Sequence, residues 1–258
     1  METDRILTVF TNGALFTAGC RFHLSGTTRI GLFPSLFMLE CWNLPEADNC
    51  RLRNTKELSV LREDSCLASG RVWDVFCRTV PEGTVTAVAF SRGLDLWESR
   101  VSLSVPAGVS VSETVRRLLS ASGTGIRLLS FPGEDPVFPR GQAFCGRASE
   151  CVAEALSAAS AGAYLVPAGL CVIPADPLPA SLHLAEKDLT DRPAFADGGR
   201  KMILSTTVTG FRAGEEMTLS RDGRIFSGRI LERMTDADTS LGPWRTQLLI
   251  ELHNFVSF

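Results

Sequence analysis

Residues 101–123 read VSLSVPAGVSVSETVRRLLSASG, a complete strand, turn and helix in one stretch. Val101, Leu103 and Val105 alternate with Ser102 and Ser104, the period of two expected of a half-buried strand. Pro106-Ala107-Gly108 interrupts it. Ser110 and Glu113 fit an S-x-x-E capping box, in which each side chain satisfies an orphan N–H at a helix start. Val111, Val115, Leu118 and Leu119 then form one apolar helical stripe, and Gly123 stands where a left-handed C-cap is usual. Everything upstream reads as β, the segment that follows as a small α/β unit, and the remainder as β again. The expected class is therefore mainly β with an α/β insertion. Two small β-barrel domains, at residues 1–101 and 183–258, flank an α/β middle domain at 102–182.

Working outward, LTVF (residues 7–10) and ALF (14–16) flank Asn12-Gly13, a hairpin signal. RFHLSG, GLFPSLFMLECWNL, ELSVLRED, GRVWDVFCRTV and TVTAVAFSRG follow as strand signals, and Pro34 argues for an edge or bend in the second. Strict alternation places Val72, Asp74, Phe76 and Arg78 on one face and Trp73, Val75 and Cys77 on the other. A strand apolar on both faces is expected between two layers or between subunits. Downstream, IRLLSF (126–131) is a strand, GEDPVFPRGQ (133–142) an exposed loop, and 147–161 a helix with its alanines on one stripe. AYLV and LCVI form a hairpin, and Pro174, Pro177 and Pro179 a linker. Residues 184–200 read as loop. Strands return as MILSTTVTG, EEMTLS, RIFSGRILERM and WRTQLLIEL, with a turn at Asp222-Gly223 and a polar loop at 235–243. The strand at 244–252 is expected to offer an edge to a neighbouring subunit.

Composition narrows function. The 258-residue chain is 45% hydrophobic and 21% charged, ordinary for a folded protein. A net charge of −3 gives no basic field for gripping nucleic acid. METDRILTVF lacks the basic and apolar regions of a signal peptide, so synthesis in a cytoplasm is expected, and no membrane span is foreseen. Eight cysteines include no C-x-x-C, and His23, His183 and His253 are scattered, so neither a metal nor a cofactor is expected. No phosphate loop, dinucleotide fingerprint, nucleophile elbow or H-E-x-x-H occurs. Asp236 and Asp238 lack the longer run of oxygen ligands that a calcium loop needs. Trp42, Trp73, Trp97 and Trp244 lie in strand patterns and read as core or interface anchors. No residue is singled out as catalytic.

The order of these segments resembles the hub proteins of phage tail baseplates and contractile injection systems, the family of late control protein D. GRVWDVFCRTVPEGTVTAVAFSRGLDLWESRVSLSVPAGVSVSETVRRLLSASG looks like its paired strands, its strand ending in Trp and its capped helix. SECVAEALSAASAGAYLVPAGLCVI looks like its second helix and hairpin. FRAGEEMTLS and RIFSGRILERMTDADTSLGPWRTQLLIEL look like its closing barrel, at Gly214, Met217, Leu219, Trp244, Thr246 and Leu248. With Trp73, Trp97, Gly108, Ser110, Glu113, Asp222 and Gly223, these positions make a structural signature rather than a catalytic one.

The resemblance implies two tudor-like barrels per subunit and a homotrimer whose six barrels form a pseudo-sixfold ring. Such a ring joins a sixfold tail tube protein to a threefold central spike protein, with tape-measure and baseplate wedge proteins as further partners. DNA only passes through its lumen, nothing inserts in a membrane, and the finished protein resides in the virion tail.

Two other classes compete. A tail-associated cell-wall hydrolase or peptidase would clear cell wall in a zymogram. A β-barrel module binding sugar or single-stranded nucleic acid would shift single-stranded DNA in a salt-dependent way. A trimeric mass favours the hub.

For the cysteines the expectation is numerical. Thiol titration of denatured, unreduced protein should find all eight free. Two missing thiols, or one zinc per chain, would contradict this reading.

Overall fold

The computed structural model describes residues 5–16, 19–63, 65–167, 169–240 and 242–253. In chain order the first part contains β1 (Thr8–Thr11), β2 (Ala14–Phe16), β3 (Phe22–Arg29), β4 (Ser35–Trp42), α1 (Glu46–Arg53), β5 (Glu57–Arg62), β6 (Ser65–Val80), β7 (Gly83–Arg92) and α2 (Leu94–Glu98). The middle contains β8 (Arg100–Val105), α3 (Val111–Ser122), β9 (Leu128–Ser130), β10 (Gln142–Arg147), α4 (Ala148–Ser157), β11 (Gly162–Val166) and β12 (Gly169–Ile173). The last part contains β13 (Leu182–Ala185), β14 (Ala194–Ala196), β15 (Lys201–Thr206), β16 (Glu216–Arg221), β17 (Arg224–Asp238) and β18 (Trp244–Leu252).

The mainly β class with an α/β insertion is observed. The expectation of closed barrels needs correcting. Strands from both ends of the chain join one thirteen-stranded sheet, in the order β14-β15-β18-β17-β3-β4-β7-β6-β5-β1-β2, with β16 and β13 branching from β17. Among the described residues this path does not close into a ring.

The long strand β17 makes the join. On one edge it pairs with β18 from Gly228 to Ala237. On the other it pairs first with β16, up to Glu216↔Arg229, and then with β3, from Glu232↔Arg29 onward. A bulge at Leu231 marks the handover: the register shifts between Ile230 and Glu232, and the Ile30 N–H donates to the Leu231 carbonyl at 2.9 Å. A bulge bends a strand and raises its twist, which lets one strand serve two cores.

Three hydrophobic cores result. One lies within the N-terminal strands, around Leu24, Leu39, Val60 and Phe90, and takes Ala237 from β17. A second lies beneath α3 and α4, with Leu118, Val152 and Phe144, and takes Leu32 and Leu96 from upstream. The third holds Met202, Leu219, Ile230 and Leu248. Each large apolar side chain fully buried here contributes on the order of 1.5–3 kcal/mol.

Local structure departs from the sequence reading in several places. Residues 46–53, to which the sequence reading assigns no element, form a helix: Pro45 stands at the N-cap position, its carbonyl accepting from the Asn49 N–H at 3.0 Å, Glu46 and Asp48 complement the N-terminus, and Arg51 and Arg53 the C-terminus. Pro34 lies just ahead of β4, so β4 is a central strand between β3 and β7. Part of the 133–142 loop is pinned by Phe138, whose N–H donates to the Val109 carbonyl, and β10 beyond it pairs with β8. Residues 184–200 contain β14 and the end of β13, where β13 runs parallel to β16. The polar stretch after Met234 continues β17 through Asp238. Finally, β18 is not an edge, because Gln247 pairs with Ser205 on one side and Met234 on the other.

The start of α3 also differs from the reciprocal box. Ser110 Oγ accepts from the Glu113 N–H at 3.3 Å, as the motif requires. The Glu113 carboxylate turns instead to Arg117 at 2.9 Å and Arg116 at 3.7 Å. Asp135 supplies the second cap from the loop, accepting from the Ser112 N–H at 2.8 Å and the Ser112 hydroxyl at 2.7 Å. Burial pushes the Asp135 carboxyl up, but these hydrogen bonds outweigh it and hold the group below its ordinary 3.8.

Ser110→Ala and Asp135→Ala should each cost ~1 kcal/mol in denaturant unfolding, with the pair coupled through Ser112 and less than additive. Because the folded pKa of Asp135 is depressed, its contribution is present above the unfolded value and lost as pH falls through the folded one. A pH-independent Asp135→Ala difference across that window would refute the assignment.

Candidate assembly surface

The sequence put Trp73 inside a regular strand; the structure puts it in a bulge. Val72 faces Phe90 and Asp74 faces Ala89, leaving Trp73 opposite no residue of β7. One extra residue reverses the alternation beyond it. Val72, Val75 and Cys77 therefore share one face, while Asp74, Phe76 and Arg78 share the other, a correction of the strict-period reading. Trp73 is 57% exposed and Phe76 40% exposed, so this apolar pair is uncovered in the single chain. From Asp74 to Val80 the strand pairs with β7 alone among the described residues, since β5 pairs only up to Arg71. Free backbone groups beside exposed aromatics are what a strand partner would occupy.

Charged groups cross the same sheet face. Arg78 reaches Glu40 across the small Ala87 of β7. His23 Nδ1 meets Glu40 at 3.1 Å and His23 Nε2 meets Asp236 at 2.8 Å. The chain Arg78–Glu40–His23–Asp236 thus ties β6, β4, β3 and β17 together. Burial pushes the His23 imidazole down, but hydrogen bonds to Asp236 and Glu40 outweigh it and raise the group above 6.5. Asp238 is buried against Arg21 and accepts from the Ser240 N–H at 2.7 Å. Asp236 and Asp238, which the sequence showed to be too few for a calcium loop, are both committed to protein partners. No sequence signal marked these pairs, because they are separated by about two hundred residues.

The other signature residues are dispersed. Trp97 lies on α2, not on a strand, with its ring 5.4 Å from Phe33 and the Arg147 guanidinium 5.0 Å away. Gly108 occupies the left-handed turn before Ser110. Gly214 has φ +92° and lies against the Tyr164 ring, where a Cβ would collide, so a side chain there would separate the middle unit from the C-terminal one. Asp222 and Gly223, at φ 49° and 72°, form the tight turn between β16 and β17. Trp244 opens β18 under Arg62, 5.2 Å from its ring centroid, and Thr246 is buried between Thr206 and Thr235.

No cysteine–histidine pair emerges among the described residues. His23 bonds to carboxylates, His183 to the Thr218 hydroxyl and His253 to Glu216, and none bonds to a cysteine. Groups of three or more metal-ligating side chains are also absent among the described residues.

No family model and no curated protein matches the sequence. Solved structures do. A tail protein from Neisseria meningitidis MC58 superposes with a TM-score of 0.70 at 10% identity, over 97% of each chain. The fold is that of phage tail proteins. The 43 kDa tail protein of prophage MuSo2 from Shewanella oneidensis matches with a TM-score of 0.65 at 12% identity, over 95% of this chain and 97% of that one. An E. coli type VI secretion system component, described as similar to the T4 tail proteins gp27 and gp5, matches at 0.68 and 10%, over 95% and 77%. The tail-hub resemblance read in the sequence is thus borne out as a likeness of fold.

His23 gives this face a pH dependence. Its folded pKa is raised, so its stabilisation is complete below about 6.5 and is lost as pH rises through the folded value. Stability of wild type minus His23→Gln should therefore shrink from pH 6 to pH 8. A constant difference would show that the bridge does not depend on the charged imidazole.

Proposed function

We propose that this chain is a structural hub of a phage or phage-like tail baseplate. Three copies form a pseudo-sixfold ring that joins the sixfold tail tube to the threefold central spike and leaves a channel for DNA. The observation that carries the proposal is the end-to-end match of fold, 97% of both chains, to a tail protein. The hub role is non-enzymatic, and the tail tube, spike, tape-measure and wedge proteins are its partners. No helix among the described residues is long and apolar enough to cross a membrane.

Two further features support the ring. The open edge of β6, with Trp73 and Phe76 exposed beside it, is suited to pairing with a neighbouring copy. Each β-rich end of the chain also has one very long strand, β6 of sixteen residues and β17 of fifteen, as two similar units per copy would need. We also propose units at residues 1–101, 102–182 and 183–258, supported by the three separate cores.

The test is mass in solution, alone and with tube and spike proteins. Wild type should be trimeric in at least the second condition. Trp73→Ser/Phe76→Ser should stay monomeric there, while its own unfolding shifts by only ~0.5 kcal/mol, as for exposed positions. A wild type that remains monomeric with both partners, together with tails that assemble without it, would refute the hub.

A further inference from the structure

Where the three units meet, the protein forms a partly open cavity of about 160 Å³. Its lining draws on each unit: Thr28, Cys66, Arg92 and Arg233 from the large sheet, Tyr164 from β11, and Arg212 from the loop after β15. Arg233 is only 6% exposed. Its two terminal nitrogens donate to the carbonyls of Phe211, at 2.9 Å, and Leu67, and its Nε is buried without an acceptor. Arg92 donates to Ser69 Oγ at 2.9 Å and lies over the Phe37 ring, and its Nε is likewise buried and unpartnered. Thr28, 6% exposed, adds a third unpartnered group, its Oγ1. Neither Arg92 nor Arg233 has a carboxylate partner among the described residues. Glu215 is the acid at this place, and it is shared with Arg212, 4.0 Å away.

Buried donors without acceptors are costly, and buried charge without a counter-charge is more so. Burial above all, with a smaller push from Arg233 and Arg212 on Arg92 and from Arg212 on Arg233, brings both Arg92 and Arg233 down to about 10. We propose that the cavity is a binding site for one small tetrahedral oxyanion of the phosphate class, which locks the three units together. A planar carboxylate suits a single guanidinium fork presenting two parallel N–H groups. Here the terminal nitrogens of Arg233 are engaged by carbonyls and those of Arg92 by Ser69 Oγ and, at 3.5 Å, the Leu165 carbonyl, so neither presents a free fork; what remains is single N–H groups arriving from different strands, a set that matches a tetrahedral ion. The volume is ample: one water needs only ~10–15 Å³ of such space. This inference is independent of the hub reading.

Inorganic phosphate is the probe. Titrated calorimetrically into the full chain at constant ionic strength against chloride, it should bind saturably at one site and raise the unfolding temperature along the same isotherm. Arg92→Met should weaken binding about tenfold or more. If that variant does not fold, Arg212→Gln decides, since Arg212 is exposed: it should fold normally and still bind phosphate more weakly. A linear rise in stability with phosphate, equal in wild type and Arg212→Gln, would be a general salt effect and would overturn the proposal. So would saturable binding of acetate without binding of phosphate.

Discussion

The architecture depends on one strand with two sets of neighbours. β17 leaves the C-terminal core beside β16, bulges at Leu231, and enters the N-terminal sheet beside β3. Backbone hydrogen bonds therefore run without a break between the two ends of the chain. Small domains bury little core, and two of them sharing a sheet expose fewer edges than two alone. The same geometry forces side chains of the strand across a boundary between cores. Ile230 points into one core and Ala237 into another, while Arg233 falls between them, where a guanidinium must find carbonyls.

The middle unit is docked onto this frame by close contacts rather than by strands. The Gly31 N–H donates to the Ala163 carbonyl at 2.7 Å, Leu32 and Leu96 enter its core, and Gly214 lies flat against Tyr164. Of these contacts, the one through Tyr164 also lines the arginine-lined cavity. Within the large sheet, β6 runs on past β5 and leaves part of its edge and two aromatics uncovered.

Much of the fold was legible in the sequence because its signals are local. Alternation marked β8, the apolar stripe marked α3 and α4, Asn12-Gly13 and Asp222-Gly223 marked their hairpins, and Ser110 marked a cap. Each depends on residues within a few positions of one another. The helix at 46–53 is equally local in its signals, with acids first and arginines last. Of the candidate surface, Trp73 and Phe76 were visible as apolar strand residues, but their exposure was not.

By itself the sequence determined the class, the local strands and helices, several turns and the absence of any familiar catalytic motif. Tertiary structure alone decided that Trp73 bulges, that β17 runs through Asp236 and Asp238, and that Asp135 rather than Glu113 completes the cap. It also decided that His23 meets Asp236 and that Arg92 and Arg233 share a cavity. The reason is physical. A strand's register and edges are set by the partner it pairs with, and β17 pairs with β3 from the opposite end of the chain. No short-range pattern in either strand specifies that pairing.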